Sequence, residues 1–382
     1  MNFSIKCNAI SLLDRLYTNQ AILKQTVAKP EYSLFEFKRG LGEDILVTSI
    51  NDSSHVISNI TDIISELTLS EDISLFYVDG SLLVNLLRNF GSHEVSLVLD
   101  TKSNKLVISD LVTGKSNYKI GVVFQEQFSH TIKWPEDMGQ ISLTVGELKS
   151  IIVNCLGYLL KDSYEESFGY IYVDKGRVYA TDKHHGIIIN MPSLKDCSGI
   201  YINPEILRII SKMDDKVIIY ITKTGGLVQF IVKDQCLFGY NYPASKYPID
   251  TLSSLHDMAI NSKRNFEAVI DSHEFLKAVK NLSVVSNKVH YGIDIVFDGN
   301  SVELRTYDNE NIGEGYEEVK VKSLNGNKFN VRINNKQLVN MLELDNVEHL
   351  WCAESDMSPQ YFFHNKDVQC IKFCAPLAKL KG

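Results

Sequence analysis

Apolar and polar residues form a pattern that occurs three times along the chain. Each copy has an extended apolar segment, a polar residue that can start a helix, and then apolar residues at the spacing of one helical face. The three clearest copies begin at Tyr77, Tyr201 and Arg332, which makes the repeat about 130 residues long. Repetition at this length predicts tandem domains that share one fold.

The helix in each copy is predicted to start and to pack in the same way. The polar residues at its start are Asp79, Asn203 and Asn334, whose side chains can accept hydrogen bonds from the first free N–H groups of the helix. The apolar positions that follow are Leu83 and Leu86, Leu207 and Ile210, and Leu338 and Met341. Because residues three apart share one face of a helix, these positions predict a buried face.

A second helix is predicted near the start of each copy, directly after a short strand. Its first core positions are expected at Ile10, Leu148 and Phe275. Other short apolar segments are separated by turns rich in Gly, Asn, Asp and Lys, and they predict strands, for example at Ser96–Leu99, Val217–Ile221, Leu227–Ile231 and Tyr361–Phe363. This order of helices and strands predicts an α+β fold with antiparallel sheets.

Two polar stretches, residues 128–140 and 248–265, contain prolines and are predicted to be linkers between domains. They divide the chain into domains at residues 1–133, 134–255 and 256–382, each of an ordinary size for a domain. Each domain is expected to hold two helices and several short strands.

Composition narrows the function classes. The 382 residues are 44% hydrophobic and 23% charged with a net charge of -8, which is ordinary for a globular protein but unlike one that binds nucleic acid over its whole surface. The seven cysteines include no Cys-x-x-Cys pair, so we expect reduced core cysteines and neither disulfides nor a zinc site. No segment resembles a signal peptide or a membrane span, which favours a cytoplasmic protein.

Two segments contain residues typical of chemical sites. Thr113–Ser116 reads Thr-Gly-Lys-Ser, but Ser109 stands where a phosphate-binding loop needs Gly, and a strand pattern follows, so a hairpin turn is predicted. Asp182, His184 and His185 have side chains that bind metals, but no second cluster accompanies them, which favours a hydrogen-bonded corner over a metal site. No set of nucleophile, base and orienting group is recognised, which disfavours an enzyme such as a nuclease or a phosphotransferase.

Several segments resemble the bacterial β sliding clamp, the processivity subunit of the replicative DNA polymerase. The most specific one is Arg177–His185, where the family has a strand ending in Ala-Thr-Asp-Gly-His-Arg. The others are Tyr242–Pro243, Phe275–Lys288 and the C-terminal Phe373–Lys379. The departures from the family's usual Gly, Arg, Leu and basic residue are Lys183, His185, Gly186 and Ala378, so a phage or mobile-element clamp is considered beside a bacterial one.

The resemblance implies three tandem clamp-type domains that form half of a ring, closed by a head-to-tail homodimer. Such a ring is not an enzyme and needs no cofactor or metal. It would encircle double-stranded DNA without sequence preference and tether the replicative DNA polymerase, which confers processivity. An ATP-driven clamp loader and other proteins with clamp-binding peptides are the further partners implied. The alternative is a clamp-like interaction protein that binds or sequesters such peptides without encircling DNA.

The resemblance also implies three groups of site residues. Basic residues on helices and nearby loops are expected to line the DNA path, with a solvated helix face as the alternative; they are Arg15, Lys24, Lys29, Arg88, Lys161, Lys212, Lys277, Lys280 and Lys288. The expected peptide-binding cleft consists of Thr181, His184, His185, Pro243, Tyr247, Pro248, Phe373, Ala375, Pro376 and Leu377. The expected dimer interface consists of Tyr118, Val284 and Val285. A place in the domain core is an equal alternative for Phe373, and for residues 182–185 the cleft ranks ahead of a structural corner and a metal site.

Overall fold

The chain forms two compact units in the computed structural model, and each unit has its own sheet. The first unit consists of Met1–Glu147 and Glu205–Tyr242, and the second consists of Leu148–Pro204 and Pro243–Gly382. The structure describes residues 3–377 except for residues 27, 41, 43, 53, 70–74, 125–140, 161–165, 225–226, 233–235, 242, 244, 287–290, 307–312, 327–328, 344–348, 354–360 and 365–368.

The helices follow the predicted repeat, with one addition. In chain order they are α1 (Ala9–Ala21), α2 (Gly80–Arg88), α3 (Val145–Cys155), α4 (Glu205–Ile210), α5 (Ile249–Asn261), α6 (Ser272–Val285) and α7 (Asn335–Glu343). Helix α1 packs beside α2, and α6 packs beside α7, as the two-helix repeat predicts. Helix α5 is the addition.

The strands form two antiparallel sheets. In chain order the strands are β1 (Phe3–Asn8), β2 (Leu34–Arg39), β3 (Ile45–Ile50), β4 (Ser54–Asn59), β5 (Ile64–Leu69), β6 (Leu75–Asp79), β7 (Glu94–Asp100), β8 (Lys105–Asp110), β9 (Asn117–Val123), β10 (Ile141–Thr144), β11 (Ile171–Asp174), β12 (Arg177–Thr181), β13 (His185–Asn190), β14 (Ile200–Ile202), β15 (Ile218–Thr224), β16 (Leu227–Val232), β17 (Cys236–Asn241), β18 (Arg264–Ile270), β19 (Gly292–Asp298), β20 (Ser301–Thr306), β21 (Gly315–Gly326), β22 (Phe329–Asn334), β23 (His349–Ala353), β24 (Tyr361–His364) and β25 (Cys370–Cys374). The first unit contains 13 of them in the order β10-β15-β16-β17-β4-β3-β2-β6-β9-β8-β7-β1-β5, and the second contains 12 in the order β14-β11-β12-β13-β25-β24-β23-β18-β21-β20-β19-β22. The described pairs are antiparallel, which confirms the predicted fold class.

The first helix of each repeat starts at a polar cap, and the position of the cap corrects one prediction. The caps are Asn8, Thr144 and Asp271, and each accepts a hydrogen bond from a backbone N–H two or three residues later. The fourth residues after these caps are fully buried; they are Leu12, Leu148 and Phe275. Ile10, predicted as a core position, is instead 44% exposed. Residues two apart on a helix point in nearly opposite directions, so Ile10 faces outward when Leu12 takes the core.

Helices α2 and α7 confirm the predicted start, and the described core positions confirm the predicted buried face; the cap at Asn203 stays a prediction. Asp79 accepts a hydrogen bond of 2.7 Å from the N–H of Leu82, and Asn334 accepts one of 3.0 Å from the N–H of Lys336. The predicted core positions Leu83, Ile210, Leu338 and Met341 are buried, and Leu86 is partly buried. The side chain of Leu207 lies outside the described residues.

Most of residues 248–265, predicted to be a linker, form helix α5. Leu252, His256 and Ala259 are its buried residues, and Leu252 and Ala259 belong to the apolar core of the second unit. The helix is not visible in the sequence pattern because its narrow buried stripe is surrounded by polar residues. The role of the segment as a linker stays a prediction. The division into three domains stays a prediction, and its second boundary, after residue 255, would fall within α5. Residues 128–140 lie outside the described residues.

Thr113–Ser116 lie in the predicted hairpin turn, between β8 and β9. Gly114 has a φ of 64°, which glycine adopts without strain. Asp110 accepts a hydrogen bond of 2.9 Å from the N–H of Val112 and holds the turn. Because a strand follows where a phosphate-binding loop needs a helix, the structure does not support nucleotide binding here.

The cysteines whose side chains the structure describes are free thiols. They are Cys7, Cys155, Cys197, Cys352, Cys370 and Cys374, and all except Cys370 are buried. Among the described helices, none is both long enough and apolar enough to cross a membrane.

Candidate functional site

The corner between β12 and β13 is held by its own hydrogen bonds. The Thr181 hydroxyl donates to the carbonyl oxygen of His185 over 2.7 Å. The N–H groups of His184 and His185 donate to Asp182 Oδ1 over 2.9 and 2.7 Å. Lys183, at the tip, has a φ of 80°. The structural corner considered for this segment is therefore present, with His184 exposed and with Thr181 and His185 buried.

Asp182 is the charged centre of this corner. Its carboxylate also lies 2.7 Å from Nδ1 of His185 and accepts a hydrogen bond of 3.2 Å from Nε2 of Gln337 on α7. Burial alone would raise the pKa of Asp182, but the hydrogen bonds and the charge of His185 outweigh burial and hold the pKa below its ordinary value. Both carboxylate oxygens thus have protein partners, and the described residues contain no group of three or more possible metal ligands.

The ring of His185 points into the second unit. Its Nε2 lies 3.2 Å from the carbonyl oxygen of Gly157, and the ring centroid is 4.8 Å from that of Tyr158. Asn340 on α7 donates a hydrogen bond of 3.2 Å to the same carbonyl. The ring therefore packs inside the second unit, against Gly157 and Tyr158.

The chain continues after β25 as an extended tail. The N–H of Ala375 donates to the carbonyl oxygen of His184 over 2.6 Å, and the N–H of Leu377 donates to that of Arg332 over 2.8 Å. Ala375, Pro376 and Leu377 are partly exposed. The structure therefore brings the predicted tail residues to the β12–β13 corner, although nearly half the chain separates them in sequence.

Phe373 lies in the core of the second unit, which is the alternative considered for it. Its side chain is 3% exposed and packs in one apolar cluster with Tyr247 and Ile188. Gly186 is opposite Phe373 in the strand register, and a Cβ on Gly186 would overlap the Phe373 ring. The glycine that replaces the family's leucine therefore makes room for a large aromatic side chain.

Tyr247 belongs to an aromatic cluster that the sequence analysis missed. It stacks on Tyr172 with ring centroids 4.8 Å apart and ring planes within 9° of each other. Its N–H donates to the hydroxyl of Tyr201 over 3.1 Å, and its centroid is 6.3 Å from that of Phe168. Burial raises the pKa of Tyr247 well above its ordinary value because an apolar environment disfavours the ionised phenol. Local spacing gives no signal for this cluster, since its members come from separate segments.

The ten predicted cleft residues all lie in the second unit. Pro243 is buried, and Pro248 is partly exposed directly before α5. Hydrogen bonds connect Thr181 with His185 and Ala375 with His184, while Tyr247 and Phe373 share one core.

Four of the basic residues predicted to face DNA contact carboxylates. The pairs are Arg15 with Asp62 at 2.8 Å, Lys24 with Glu205 at 3.9 Å, Lys29 with Asp52 at 2.6 Å and Lys280 with Glu343 at 2.6 Å. Glu343 is the residue of the third repeat that matches Arg88 and Lys212, and its carboxylate contacts Lys280. A cation beside a carboxylate attracts phosphate less strongly because the two charges offset each other at a distance.

Three other predicted residues, Arg88, Lys212 and Lys277, are exposed and show no carboxylate partner within the described part of the chain. Arg88 donates a hydrogen bond of 3.2 Å to Gln20 of α1, and Nζ of Lys212 lies 4.8 Å from the ring centroid of Tyr17 on the same helix. Two cations therefore lie against the C-terminal half of α1. Lys161 and Lys288 lie outside the described residues.

Strands from successive repeats pair in a regular way. The last strand of the second repeat, β17, pairs with β4, the third strand after α1. The last strand of the third repeat, β25, pairs with β13, the third strand after α3. The strands at the same positions in the other repeats are β9, the last strand of the first repeat, and β21, the third strand after α6. Among the described residues, 117–121 of β9 pair only with β8, and 315–320 of β21 pair only with β20.

The predicted interface residues lie beside these two strand segments. Tyr118, on β9, is 38% exposed, and its ring centroid is 5.7 Å from that of Phe90. Val284, at the end of α6, is 79% exposed, and Val285 is partly buried against the start of β21 at Gly315. Exposed apolar side chains beside unpaired strand edges are typical of an interaction surface.

Comparison with known proteins extends the resemblance to the whole fold. No protein-family model matches the sequence, and a search of curated proteins found no match. The structure resembles the DNA polymerase sliding clamp of Bacillus subtilis, with 14% identity, a TM-score of 0.81, and coverage of 99% of this chain and 100% of that chain. The DNA polymerase III subunit beta of Pseudomonas aeruginosa gives 15% identity, a TM-score of 0.81 and the same coverage of 99% and 100%. The DNA polymerase III beta subunit of Thermotoga maritima gives 14% identity and a TM-score of 0.79, and it also covers 99% of this chain and 100% of that chain. Over its full length, therefore, the chain has the fold of the DNA polymerase III β sliding clamp.

Proposed function

We propose that the chain is a sliding clamp, a ring subunit that encircles double-stranded DNA and tethers the replicative DNA polymerase without catalysing a reaction. The strand pairing between repeats carries this proposal. The pairing of β17 with β4 and of β25 with β13 leaves one matching pair of strand edges, in β9 and β21. Two copies arranged head to tail would pair both edges, which closes a ring and leaves neither edge exposed.

Charges on the two edges favour this pairing over others. Lys119 is exposed on β9, whereas the segment 315–320 of β21 carries Glu317, Glu318 and Lys320 and is acidic on balance. Asn281 on α6 donates a hydrogen bond of 3.0 Å to Glu317 and so holds one of the two carboxylates. Opposite charges favour contact between β9 and β21, while two β9 edges would bring lysines together.

In such a ring, the closed protein around the DNA would retain it more than the attraction between basic side chains and phosphates would. The chain has a net charge of -8, so only a small part of its surface can attract phosphate. Arg88, Lys212 and Lys277 are the cations best suited to this, because they show no carboxylate partner among the described residues. Weak, sequence-independent contacts would allow the ring to slide while the tethered polymerase stays at a high effective concentration near its primer end. A closed ring has to be opened around DNA, which is the task of an ATP-driven clamp loader.

Partner proteins would bind the second unit through short apolar peptides. The tail residues Ala375 to Leu377 are partly exposed beside the β12–β13 corner, and they are held in an extended conformation. Apolar surface next to a few fixed polar groups suits an extended peptide with leucine or phenylalanine anchors. The polymerase and other partners would then compete for one cleft.

Solution mass and retention on DNA test the proposal. We expect a dimer of the 43.2 kDa chain that is retained on nicked circular DNA and lost when the DNA is linearised. Changing Val284 and Val285 to glutamate should give a folded monomer that still binds a Gln-Leu-x-Leu-Phe peptide. Val153→Glu, at a valine that is 57% exposed on α3, is the control that should stay dimeric.

Each other outcome has a defined meaning. A wild-type monomer that binds the peptide but is not retained on circular DNA would support the protein that sequesters peptides. A wild-type protein that does neither would contradict the clamp function. A Val284 and Val285 double variant that stays dimeric would place the interface elsewhere.

A further inference from the structure

The strand pairs relate the three repeats to one another residue by residue. Three successive pairing steps lead from the residue that starts each copy, across two strands, to the third strand after the first helix of the repeat. The starting residues are Tyr77, Tyr201 and Arg332. The residues reached are Ile57 on β4, Ile188 on β13 and Tyr316 on β21. These three residues therefore hold equivalent positions.

The last strands of the repeats are related in the same way. The starting residues here lie two positions before the caps of the first helices, and they are Lys6, Ser142 and Val269. Three pairing steps in each repeat lead to Asn117 on β9, Leu237 on β17 and Ile371 on β25. These residues at the ends of the steps are equivalent as well.

Both junctions between successive repeats join these equivalent positions. Leu237 pairs with Ile57 where β17 meets β4, and Ile371 pairs with Ile188 where β25 meets β13. The two junctions thus share one register in addition to one order of strands. The equivalent positions that remain are Asn117 and Tyr316, on the segments of β9 and β21 that have a strand on one side only within the described part of the chain.

We propose that β9 of one copy pairs with β21 of a second copy in this same register, with Asn117 opposite Tyr316. The inference rests on the proposed ring and specifies which residues meet at its junctions. Because the pairing is antiparallel, Tyr118 then lies opposite Gly315.

The side chains of this second pair fit each other. The ring of Tyr118 contacts Phe90, which lies just after α2, and a Cβ on Gly315 would point at Val285 of α6. Both residues therefore face the helix side of their sheets, as two directly opposed residues must. An aromatic ring can cover a glycine across an antiparallel pair. A slip of one residue would instead place Tyr118 opposite Glu314 or Tyr316, whose side chains point to the other face.

The same register places opposite charges across from each other. Lys119 and Glu314 are both exposed and would lie directly opposite on the face away from the helices. Opposite charges in this position stabilise an antiparallel pair, and like charges destabilise it. Neither internal junction has a lysine opposite a glutamate here; the pairs are Gly239 with His55 and Phe373 with Gly186. The charge pair therefore distinguishes the junction between copies from the junctions within one copy.

Charge reversal tests this register in solution. Lys119→Glu and Glu314→Lys each place like charges at both junctions of a ring, so each variant alone should dimerise about 10- to 30-fold more weakly than the wild type at low salt. In an equal mixture, one copy of each variant places opposite charges at both junctions, so the mixed dimer should regain nearly the wild-type affinity. Sedimentation over a dilution series measures both quantities, and high salt should reduce the differences.

A matched pair of double variants assigns the effect to Glu314. Lys119→Glu combined with Glu314→Lys should dimerise like the wild type. Lys119→Glu combined with Glu318→Lys, at another exposed glutamate on the same face of β21, should stay as weak as Lys119→Glu alone.

Cysteine cross-linking tests the register without changing a charge. A chain with Asn117→Cys and Tyr316→Cys should form covalent dimers on oxidation, because directly opposed residues lie about 4.5–5.5 Å apart between Cα atoms, within the reach of a disulfide. A chain with Asn117→Cys and Glu318→Cys is the control and should form few, since its cysteines are one pleat out of register. The wild type, oxidised in parallel, gives the contribution of the native cysteines.

The possible failures are distinguishable. If the wild type is dimeric but the mixture of single variants is no tighter than each variant alone, or the control cysteines link as readily as the matched pair, the register is wrong and the ring proposal stands. If the wild type is monomeric at every concentration, the proposed ring fails and the inference fails with it.

Discussion

Two corners of the molecule have the same backbone hydrogen bonds and different chemistry. In the first unit, the N–H of Asn51 donates to the carbonyl oxygen of Ser54 over 2.9 Å, and the N–H of Ser54 donates to Asn51 Oδ1 over 2.8 Å. In the second unit, Asp182 and His185 make the matching bonds over 3.1 and 2.7 Å. Each corner joins the second and third strands after the first helix of its repeat, and each has the last strand of the next repeat beside it.

The two corners differ in charge at the residue that follows Asn51 in the first and Asp182 in the second. In the first unit it is Asp52, which lies 2.6 Å from Nζ of Lys29 and accepts a hydrogen bond of 2.8 Å from the hydroxyl of Tyr32. These hydrogen bonds lower the pKa of Asp52, and the hydrogen bond from Lys29 contributes most. In the second unit the matching residue is Lys183, whose side chain lies on Phe168. In the first corner this residue is thus a carboxylate paired with Lys29, which itself lies over the Tyr32 ring, and in the second it is a lysine over Phe168. The tail residues Ala375–Leu377 lie beside the second corner, which makes that corner the candidate for peptide binding.

Deleting residues 376–382 should have the largest effect, because only the second corner has this tail. The deletion removes the hydrogen bond from Leu377 to Arg332 and the partly exposed apolar side chains of the tail. We expect the affinity for a Gln-Leu-x-Leu-Phe peptide to fall by about 100-fold or more, or about 3 kcal/mol. Fold and dimer should remain. Anisotropy that shows unchanged affinity would mean that peptides bind elsewhere.

Gly186→Ala should destabilise the second unit, because the added Cβ overlaps Phe373. Overpacking of this kind costs about 1–3 kcal/mol in the free energy of unfolding. The matching position in the first unit is His55, which shows that the backbone there accommodates a side chain. Gly121→Ala, at a glycine with no atom within 4 Å of an added Cβ, is the control and should change little in urea unfolding. Equal effects of the two substitutions would contradict the packing of Phe373 against Gly186.

Asp182→Asn tests whether charge distinguishes the two corners. The amide oxygen should preserve the turn, as that of Asn51 does, but the attraction to His185 is lost. We expect a loss of about 1 kcal/mol near neutral pH. Because the pKa of Asp182 is lowered in the folded state, its contribution is present above the unfolded carboxyl pKa of about 3.9 and is lost as the pH falls through the folded value.

Unfolding measured across this pH range checks that assignment. The difference between the wild type and Asp182→Asn should shrink as the solution becomes more acidic than the unfolded pKa. A difference that stays constant down to strongly acid conditions would mean that the charge of Asp182 does not stabilise the corner.

Asp52→Asn should have the smallest effect. The ion pair with Lys29 is exposed, so solvent screens most of the attraction that is lost. We expect the melting temperature and the peptide affinity to stay within experimental scatter of the wild type. A marked loss of peptide binding would show that the first corner also takes part in recognition.

The local features of the fold could be predicted from the sequence, and the local predictions that were wrong have causes nearby in the chain. The caps at Asp79 and Asn334 and the buried Leu83 and Leu338 depend on residues within one or two helical turns, so their spacing is visible in the chain. Ile10 was misplaced because two apolar residues near a helix start leave the rotation of the helix open until the cap is known.

By itself the sequence determined the three repeats, the start and buried face of most helices, and the antiparallel α+β class, since each rests on periodicity or on a hydrogen bond to a near neighbour. Only the tertiary structure decided which cations are paired, because Asp62 reaches Arg15 and Glu343 reaches Lys280 from separate elements. It also decided that Lys183 lies on Phe168. Such contacts depend on how strands and helices pack in three dimensions, and spacing along the chain carries no record of that packing.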